Sequence, residues 1–341
     1  MKPWPYPSLI ADVGGTNLRL ATLESAAAAP SAMLKFPTAD FASMTDAIDL
    51  YRQRTGVPAP RSAAIAIAAP AAAARRGPIH LTNEDLVLDG AALARHHRLA
   101  ARWIVNDFEA LAWALPTFAD SDLRPLGSAL PDRQATMAVI GPGTGLGCAG
   151  LLRNPAGWHA IAGEGGHVTL SARSDFERAV LAAAAAAASG SHLSAERLLS
   201  GRGLPALFAA VAQVRGEPAD DPLPAAPVIV DRARADAAAG RPDTLAGAAV
   251  ATFCELLGGY AGNIALAFGA QGGVLIAGGV AQALADPLAA GGFRQRFEDK
   301  GRFRSYLQPI GTALILRELP AFDGLAFALR TAAAALPIQT D

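Results

Sequence analysis

The stretch Ser8-Leu-Ile-Ala-Asp-Val-Gly-Gly-Thr-Asn-Leu-Arg-Leu-Ala-Thr-Leu23 decides the fold. Two apolar runs of strand type flank a Gly-Gly-Thr-Asn turn, and glycine tolerates backbone angles that other residues resist. The pattern therefore predicts a β-hairpin. A dinucleotide-binding fold would instead need a strand that leads straight into a helix.

The same pattern returns in the second half of the chain. Residues 135–152 read as a strand, a Gly-Pro-Gly-Thr-Gly turn and a second strand. Two such hairpins, one early in each half, suggest a duplicated α/β architecture.

Helical spacing or turn chemistry marks several further elements. Residues 41–56 are predicted to be helical, Ser62–Ala69 is predicted to be a buried strand, and Asp89 is expected to cap a helix ending near His97. The connector Pro116–Asp132 is the candidate domain boundary.

Later segments are predicted from the same signals. Residues 214–231, rich in Pro, Asp and Ala, predict a surface loop, and 235–268 predict one largely helical segment. Leu193–Ser200 reads as a short amphipathic piece, and 320–335 as a helix that returns to the first domain.

Composition excludes several classes of partner. The 341 residues carry 29 basic and 30 acidic side chains without a basic cluster, so nucleic acid and anionic membrane surfaces are not expected partners. Prolines interrupt the N-terminus where a signal peptide would be continuously apolar, and other apolar stretches are interrupted before membrane-spanning length. Cys148 and Cys254 form no disulfide framework or CxxC metal site, which predicts a cytoplasmic protein.

The stretch Trp103-Ile-Val-Asn-Asp-Phe108 carries the strongest candidate for chemistry. An apolar run ends in Asn106 and Asp107, and ligands of α/β proteins bind at the carboxyl ends of strands. Taken alone, the pair is explained more simply as a cap of the helix that follows.

Three glycine-rich turns follow strand-type runs: residues 12–17, 141–147 and 277–279. Backbone N–H groups and Thr hydroxyls in such turns suit phosphate, although each turn alone could be an ordinary tight turn. Asp12 suits a Mg²⁺ ion bound through water, or alternatively an Asx turn.

Polar residues near the second hairpin suit a sugar. Glu164 and His167 flank a Gly-Gly pair, which would bend both side chains into one pocket; the alternative is a buried His satisfied by a carboxylate. Glu196 adds a carboxylate, although an exposed Glu-Arg helix would be its ordinary setting. Anion-binding turns, a metal-positioning carboxylate and a second carboxylate for an alcohol together favour phosphoryl transfer.

The motifs, in their order, resemble the bacterial ATP-dependent glucokinases of the hexokinase-like group. That group belongs to the sugar kinase, Hsp70 and actin superfamily, and the related repressor/kinase family with a cysteine-rich zinc motif is excluded by the two distant cysteines. The resemblance rests on Asp12-Val-Gly-Gly-Thr-Asn17, Asn106-Asp-Phe108, Gly143-Thr-Gly-Leu-Gly147, Gly163-Glu-Gly-Gly-His167, Ser194-Ala-Glu-Arg-Leu-Leu-Ser-Gly201, Gly262-Asn-Ile-Ala-Leu266, Ile276-Ala-Gly-Gly279 and Phe297-Glu-Asp-Lys-Gly-Arg-Phe303.

The resemblance implies an α/β, two-domain actin-like ATPase (ribonuclease H-like) fold with a cleft between a small domain, 1–117 plus about 318–341, and a large domain, 118–317. It implies transfer of the γ-phosphoryl group of ATP to the 6-hydroxyl of D-glucose at the entry to glycolysis, Mg²⁺ as cofactor, and a homodimer. Asp107 would be the catalytic base and, as an unperturbed carboxylate, already ionised at neutral pH. The implied glucose contacts are Asn106, Asp107, Gly143, Thr144, Gly145, Glu164, His167 and Glu196; the implied ATP contacts are Ala11, Asp12, Val13, Gly14, Gly15, Thr16, Asn17, Gly278 and Gly279; Asp12 would hold Mg²⁺ through water.

Two departures from the family pattern fall in the small domain. Leu86 stands where a Trp is often found, and the Ala-rich residues 69–76 differ from the usual strand-end loop. Both bear on sugar affinity or on the closure of the cleft, and not on the fold. The alternatives to a glucokinase are a catalytically weak paralogue that senses sugar and a kinase for another hexose.

Overall fold

The computed structural model describes residues 3–69, 77–81, 85–188, 192–333, 336–337 and 339. Its contacts form two compact units. The first comprises 1–118, 151–163 and 317–341, and the second comprises 119–150 and 164–316. The predicted domains differ from these units mainly at 151–163, and their boundaries stay a prediction.

The strands are β1 Ser8–Val13, β2 Asn17–Leu23, β3 Ser31–Pro37, β4 Ser62–Ile67, β5 Ile79–His80, β6 Val87–Leu88, β7 Ala101–Asn106, β8 Leu123–Pro125, β9 Met137–Pro142, β10 Leu146–Asn154, β11 Gly157–Gly163, β12 Gly273–Ile276 and β13 Thr312–Ile315. The helices are α1 Met44–Thr55, α2 Gly90–His97, α3 Asp107–Ala114, α4 Asp175–Ala187, α5 Leu204–Arg215, α6 Ala226–Ala238, α7 Leu245–Phe268, α8 Gly279–Ala283, α9 Ala285–Ala289, α10 Gly292–Glu298, α11 Arg304–Leu307 and α12 Pro320–Thr331.

The sheet of the first unit has the order β3-β2-β1-β4-β7 among the described strands. β1 pairs antiparallel with β2 and parallel with β4, which pairs parallel with β7. The predicted hairpin at 8–23 is therefore confirmed. In the parallel register Asp12 lies level with Ala66, and Ala66 with Val105, so the carboxyl ends of β1 and β7 meet at one sheet edge.

Helices α3 and α12 pack against each other in the first unit. A Cβ atom at Gly324 would lie 1.8 Å from the carbonyl oxygen of Ala110, so only glycine permits this close approach. The predicted return of the C-terminal helix to the first part of the chain is confirmed.

The second unit contains β9-β12-β13-β8 as neighbouring strands, with β9, β12 and β13 parallel, and the first residues of β10, which is the other neighbour of β9. The predicted strands on either side of the second glycine turn are confirmed as β9 and β10. Helix α7 is long and apolar enough to cross a membrane by length and composition, but 72% of its most apolar window is buried. It packs on α10, where a Cβ at Gly258 would lie 2.1 Å from the carbonyl oxygen of Phe293.

The later part of the chain differs from its prediction in one place. The predicted surface loop contains the start of α6 at Ala226, because Pro227 suits the first helical turn and Ile229 and Val230 are buried. Residues 235–268 are largely helical, as predicted, and a break between α6 and α7, where Thr244 caps the second helix, divides them. Within 193–200 only a single 3₁₀ turn, Ala195–Arg197, forms.

Candidate active site

Asp107 is the first residue of α3 and directly follows β7. Its Oδ1 accepts a hydrogen bond from the backbone N–H of Phe108 at 2.9 Å. Burial raises the pKa of Asp107 to about 6, the Phe108 N–H opposes this rise, and the charge of Asp12 adds to it. The carboxyl group was expected to be unperturbed; its setting moves its titration close to neutral pH.

Asn106 is the cap of α3. Its Oδ1 accepts hydrogen bonds from the N–H groups of Phe108 at 2.9 Å and Glu109 at 3.4 Å. Its Nδ2 donates to the carbonyl oxygen of Ala69 at 2.8 Å. The helix-cap interpretation is thus confirmed for Asn106, and a primary amide so engaged keeps one N–H for a ligand.

Asp12 pairs across the first hairpin with Arg19, whose Nη1 lies 3.0 Å from Oδ2 of Asp12. Burial raises the pKa of Asp12, and Arg19 lowers it. The Asx-turn alternative is wrong, because Arg19 is the hydrogen-bond partner of this side chain among the described residues. The other carboxylate oxygen suits a hydrated Mg²⁺ ion, which keeps its water when it binds a single carboxylate.

Arg19 is a site residue that the motif search did not identify. It lies in β2 directly opposite Asp12, with its side chain partly exposed. The signal was present in the hairpin itself, because strands 8–13 and 17–23 joined by three residues bring positions 12 and 19 into register.

The turn between β1 and β2 is suited to an anion. Gly14 N–H closes the turn on the carbonyl oxygen of Asn17 at 3.0 Å, and Thr38 Oγ1 donates to the carbonyl oxygen of Gly14 at 2.8 Å. Gly15 and Thr16 are exposed at its tip. The space over Gly15 is open, since no atom lies within 4 Å of a Cβ built there. Backbone N–H groups at such a tip can approach a phosphate closely.

The raised pKa of Asp107 predicts a pH dependence. A general base needs the ionised carboxylate, which is present above its pKa, so activity should be lost as pH falls through that value. We expect log kcat/KM for the phosphoryl transfer that the sequence predicts to rise with pH and to bend near pH 6, measured by initial rates in matched buffers. A profile that stays flat from about pH 5 to 7 would contradict this position of the titration.

In the second unit, Glu196 lies in the 3₁₀ turn and not in an exposed helix. Its Oε2 accepts the backbone N–H of Leu146 at 2.9 Å. A Cβ at Gly145 would lie 2.4 Å from the same oxygen, so the carboxylate rests directly on the second glycine turn. The exposed-helix alternative is wrong for Glu196, which is half-buried, although Arg197 is exposed.

The loop that carries Glu164 and His167 lies beside the Glu196 turn. His167 N–H donates to the Glu164 carbonyl oxygen at 3.0 Å, and Ala195 N–H donates to the carbonyl oxygen of Val168 at 2.8 Å. Both Glu164 and His167 are exposed, so the buried-His alternative is wrong. The second unit thus brings three polar side chains and the glycine turn of β9 and β10 into one neighbourhood.

The Gly-Gly pair of this loop is required by its surroundings. A Cβ at Gly166 would lie 2.1 Å from the carbonyl oxygen of Leu146, and a Cβ at Gly165 would lie 2.8 Å from Sγ of Cys148. Cys148 and Tyr260 beneath the loop are buried. The loop therefore packs directly on buried side chains of the second unit.

Gly166→Ala should displace the loop that carries Glu164 and His167. Overpacking against backbone costs about 1–3 kcal/mol, and the Leu146 carbonyl cannot move without disturbing β10. We expect a higher KM for sugar and a lower Tm, measured by steady-state kinetics and thermal unfolding. Gly292→Ala is the matched control, because the nearest atoms there are 3.4 Å away in the side chain of Glu255; equal behaviour of the two variants would contradict the assignment.

Gly278 and Gly279 connect β12 to α8. Gly278 has φ +93, and a Cβ there would lie 2.4 Å from the carbonyl oxygen of Pro142 at the end of β9. Gly279 is exposed with open space above it. This turn and the turn at 143–145 thus lie at the carboxyl ends of parallel neighbouring strands, where ligands of α/β sheets bind.

Leu86, which replaces the Trp of the family pattern, is fully buried in the core of the first unit with Leu81 and Leu88. It therefore contributes packing. Of the Ala-rich residues 69–76, all but Ala69 lie outside the described residues. Thr82, Asn83 and Glu84 lie outside them as well.

Comparison with known proteins gives one consistent result. The protein-family model described as Glucokinase matches residues 9–332. A glucokinase of Aromatoleum aromaticum is 40% identical over 330 residues, which cover 96% of each chain. A glucokinase of Neisseria gonorrhoeae is 37% identical and covers 95% of each chain. The crystal structure of a glucokinase from an Antarctic psychrotroph has a TM-score of 0.84 and 29% identity, covering 95% of this chain and 99% of its own.

Proposed function

The chain belongs to the glucokinase family and is an ATP-dependent hexose kinase, and on this premise we propose that it transfers the γ-phosphoryl group of ATP to the 6-hydroxyl of D-glucose. The products are glucose 6-phosphate and ADP. The observation that supports this proposal most is the pair of carboxylates, Asp12 and Asp107, at one edge of the first sheet beside an exposed Gly15–Thr16 turn.

Asp107 is the proposed general base. The 6-hydroxyl loses its proton as its oxygen attacks the γ-phosphorus, and the carboxylate of Asp107 accepts that proton. A pKa of about 6 suits this role, because the group is ionised at neutral pH and yet basic enough to take a proton in the transition state. Most of the remaining acceleration comes from alignment, since a loose phosphoryl transition state needs little covalent work from the protein.

Glucose is held by side chains that donate hydrogen bonds and by side chains that accept them. Asn106 donates its remaining N–H, and the carboxylates of Glu164 and Glu196 accept hydrogen bonds from sugar hydroxyls. His167 and the backbone of the 143–145 turn complete the proposed set. The exposure of Glu164 and His167 supports this role, because both are free to meet a ligand.

ATP is proposed to bind through two glycine turns. Residues 11–17 bind its phosphates, and Gly278 and Gly279 lie against its nucleoside. Asp12 and its surroundings fit Mg²⁺, which would neutralise phosphate charge when bound. Arg19 holds the Asp12 carboxylate in place and favours its ionised form, which burial opposes.

We propose that the enzyme is a cytoplasmic homodimer that acts at the entry to glycolysis. Both cysteines are free and buried, which supports a reducing cytoplasm. Glucose 6-phosphate formation is the entry to glycolysis. A homodimer is proposed from the resemblance to the family.

A substrate panel tests the proposal. Purified protein is incubated with ATP and Mg²⁺, and ADP formation is followed with glucose, mannose, fructose, galactose and N-acetylglucosamine. We expect glucose to have the highest kcat/KM. Glucose binding without ADP formation would indicate a sugar sensor, and a clear preference for another sugar would indicate a different hexose kinase; either outcome contradicts the proposal.

A further inference from the structure

A side-chain cluster lies where helices α1 and α2 of the first unit meet. Nε2 of His96 lies 2.8 Å from Oδ2 of Asp49, and Nδ1 of His97 lies 3.8 Å from Oδ1 of the same carboxylate. Each residue offers one ligand atom, and these three atoms lie within 4.8 Å of one another. Among the described residues the cluster is separate from the carboxylates and glycine turns of the proposed active site.

His97 is the buried member of the cluster. Its side chain is only 2% exposed, and its Nε2 has no hydrogen-bond partner within the described chain. Its Nδ1 faces the carboxylate of Asp49 at 3.8 Å, which is beyond hydrogen-bond distance. A divalent ion between Nδ1 and this carboxylate would therefore bind the buried ring without displacing a hydrogen bond between them.

The orientation of the two His rings allows both to act as ligands. The two His rings are edge to face with centroids 4.7 Å apart, so one ring nitrogen from each reaches the same carboxylate.

We propose that Asp49, His96 and His97 bind a divalent transition-metal ion of the zinc type. Two imidazole nitrogens and one carboxylate oxygen are ligands that Zn²⁺ accepts, and the exposed side of the cluster leaves a further position for water. Asp49 and His96 are about half exposed, so the ion can enter from solvent. The bound ion joins α1 to the last turn of α2 and stabilises the first unit.

Zinc binding to the full-length protein without nucleotide or sugar tests the proposal. Apo protein prepared with a chelator is titrated with Zn²⁺, and bound metal is measured after equilibrium dialysis together with the shift in Tm. We expect one tightly bound ion per chain and a higher Tm. His96→Gln should weaken binding by at least about 10–100-fold, the loss seen when even an outer partner of a metal ligand is removed.

The matched control is His80→Gln, an exposed histidine of the same unit outside the cluster. It should bind zinc like the parent, and both variants should keep parental glucose kinase activity in the absence of zinc. Asp49→Asn gives a second test, because it keeps the shape of the side chain and removes the charge. The proposal is wrong if the parent binds no zinc, or if His96→Gln and Asp49→Asn bind it like the parent.

Discussion

Asp107→Ala is expected to lower kcat for glucose phosphorylation by about 10²–10⁴-fold, the range for loss of a general base, while the protein stays folded and still binds glucose. The start of α3 should survive, because the Phe108 N–H that Asp107 accepts is also held by Oδ1 of Asn106 at 2.9 Å. Steady-state kinetics, glucose titration calorimetry and circular dichroism measure the three parts of this expectation.

Two variants separate catalysis from structure. Asp107→Asn keeps the shape of the side chain and should be nearly as inactive, since an amide cannot accept the proton. Asp40→Ala removes an exposed carboxylate of the same unit and should leave the rate unchanged. If either Asp107 variant turned over at close to the parental rate, Asp107 would not be the base.

Arg296→Met is expected to lower the free energy of unfolding by about 3–5 kcal/mol, because it leaves a buried carboxylate without its counter-ion. Glu177 is 2% exposed, and Arg296 donates to its two oxygens from Nε at 3.1 Å and Nη2 at 3.0 Å. The pair joins α4 to α10. The charge of Glu177 also adds to the raised pKa of Glu255. Denaturant unfolding of the parent and the variant measures the loss.

A double substitution distinguishes a lost ion pair from a packing defect. Glu177→Met together with Arg296→Met removes both charges, and replacement of a buried pair by apolar groups is often close to neutral. The double variant should therefore be more stable than Arg296→Met alone. Additive losses would mean that the ion pair is not the source of the effect.

Local chemistry made some elements predictable. The Gly-Gly-Thr-Asn turn between two apolar runs specified the first hairpin, and Asp89 accepts hydrogen bonds from Ala91 and Ala92 at the start of α2 as its position predicted. In each case the deciding interaction lies within a few residues of the chain. Such signals do not depend on the rest of the fold.

Elements decided by tertiary packing were not predictable in this way. Residues 214–231 are rich in Pro, Asp and Ala like a surface loop, yet the last part is helical from Ala226, with Ile229 and Val230 buried. Glu196 looked like an ordinary exposed helical residue. Its position depends on the N–H of Leu146, which is 50 residues away.

The chemistry of the site was predicted only in outline. The residue types at Asp12 and Asp107 pointed to phosphoryl transfer, but the pKa of Asp107 depends on its burial and on the nearby charge of Asp12. The register that brings the ends of β1 and β7 together creates both conditions. Residue types alone do not determine how deeply one carboxyl side chain is buried, so they could not predict the pKa of Asp107.

The most direct test of the central claim is the identity of the phosphorylated product. The protein is incubated with ATP, Mg²⁺ and glucose, and the product is examined by ³¹P and ¹H NMR, with 6-deoxyglucose as the matched control. We predict glucose 6-phosphate as the product and no sugar-dependent ADP from 6-deoxyglucose. Phosphate attached at another carbon, or no phosphorylated sugar, would contradict the assignment of this chain as a glucose 6-kinase.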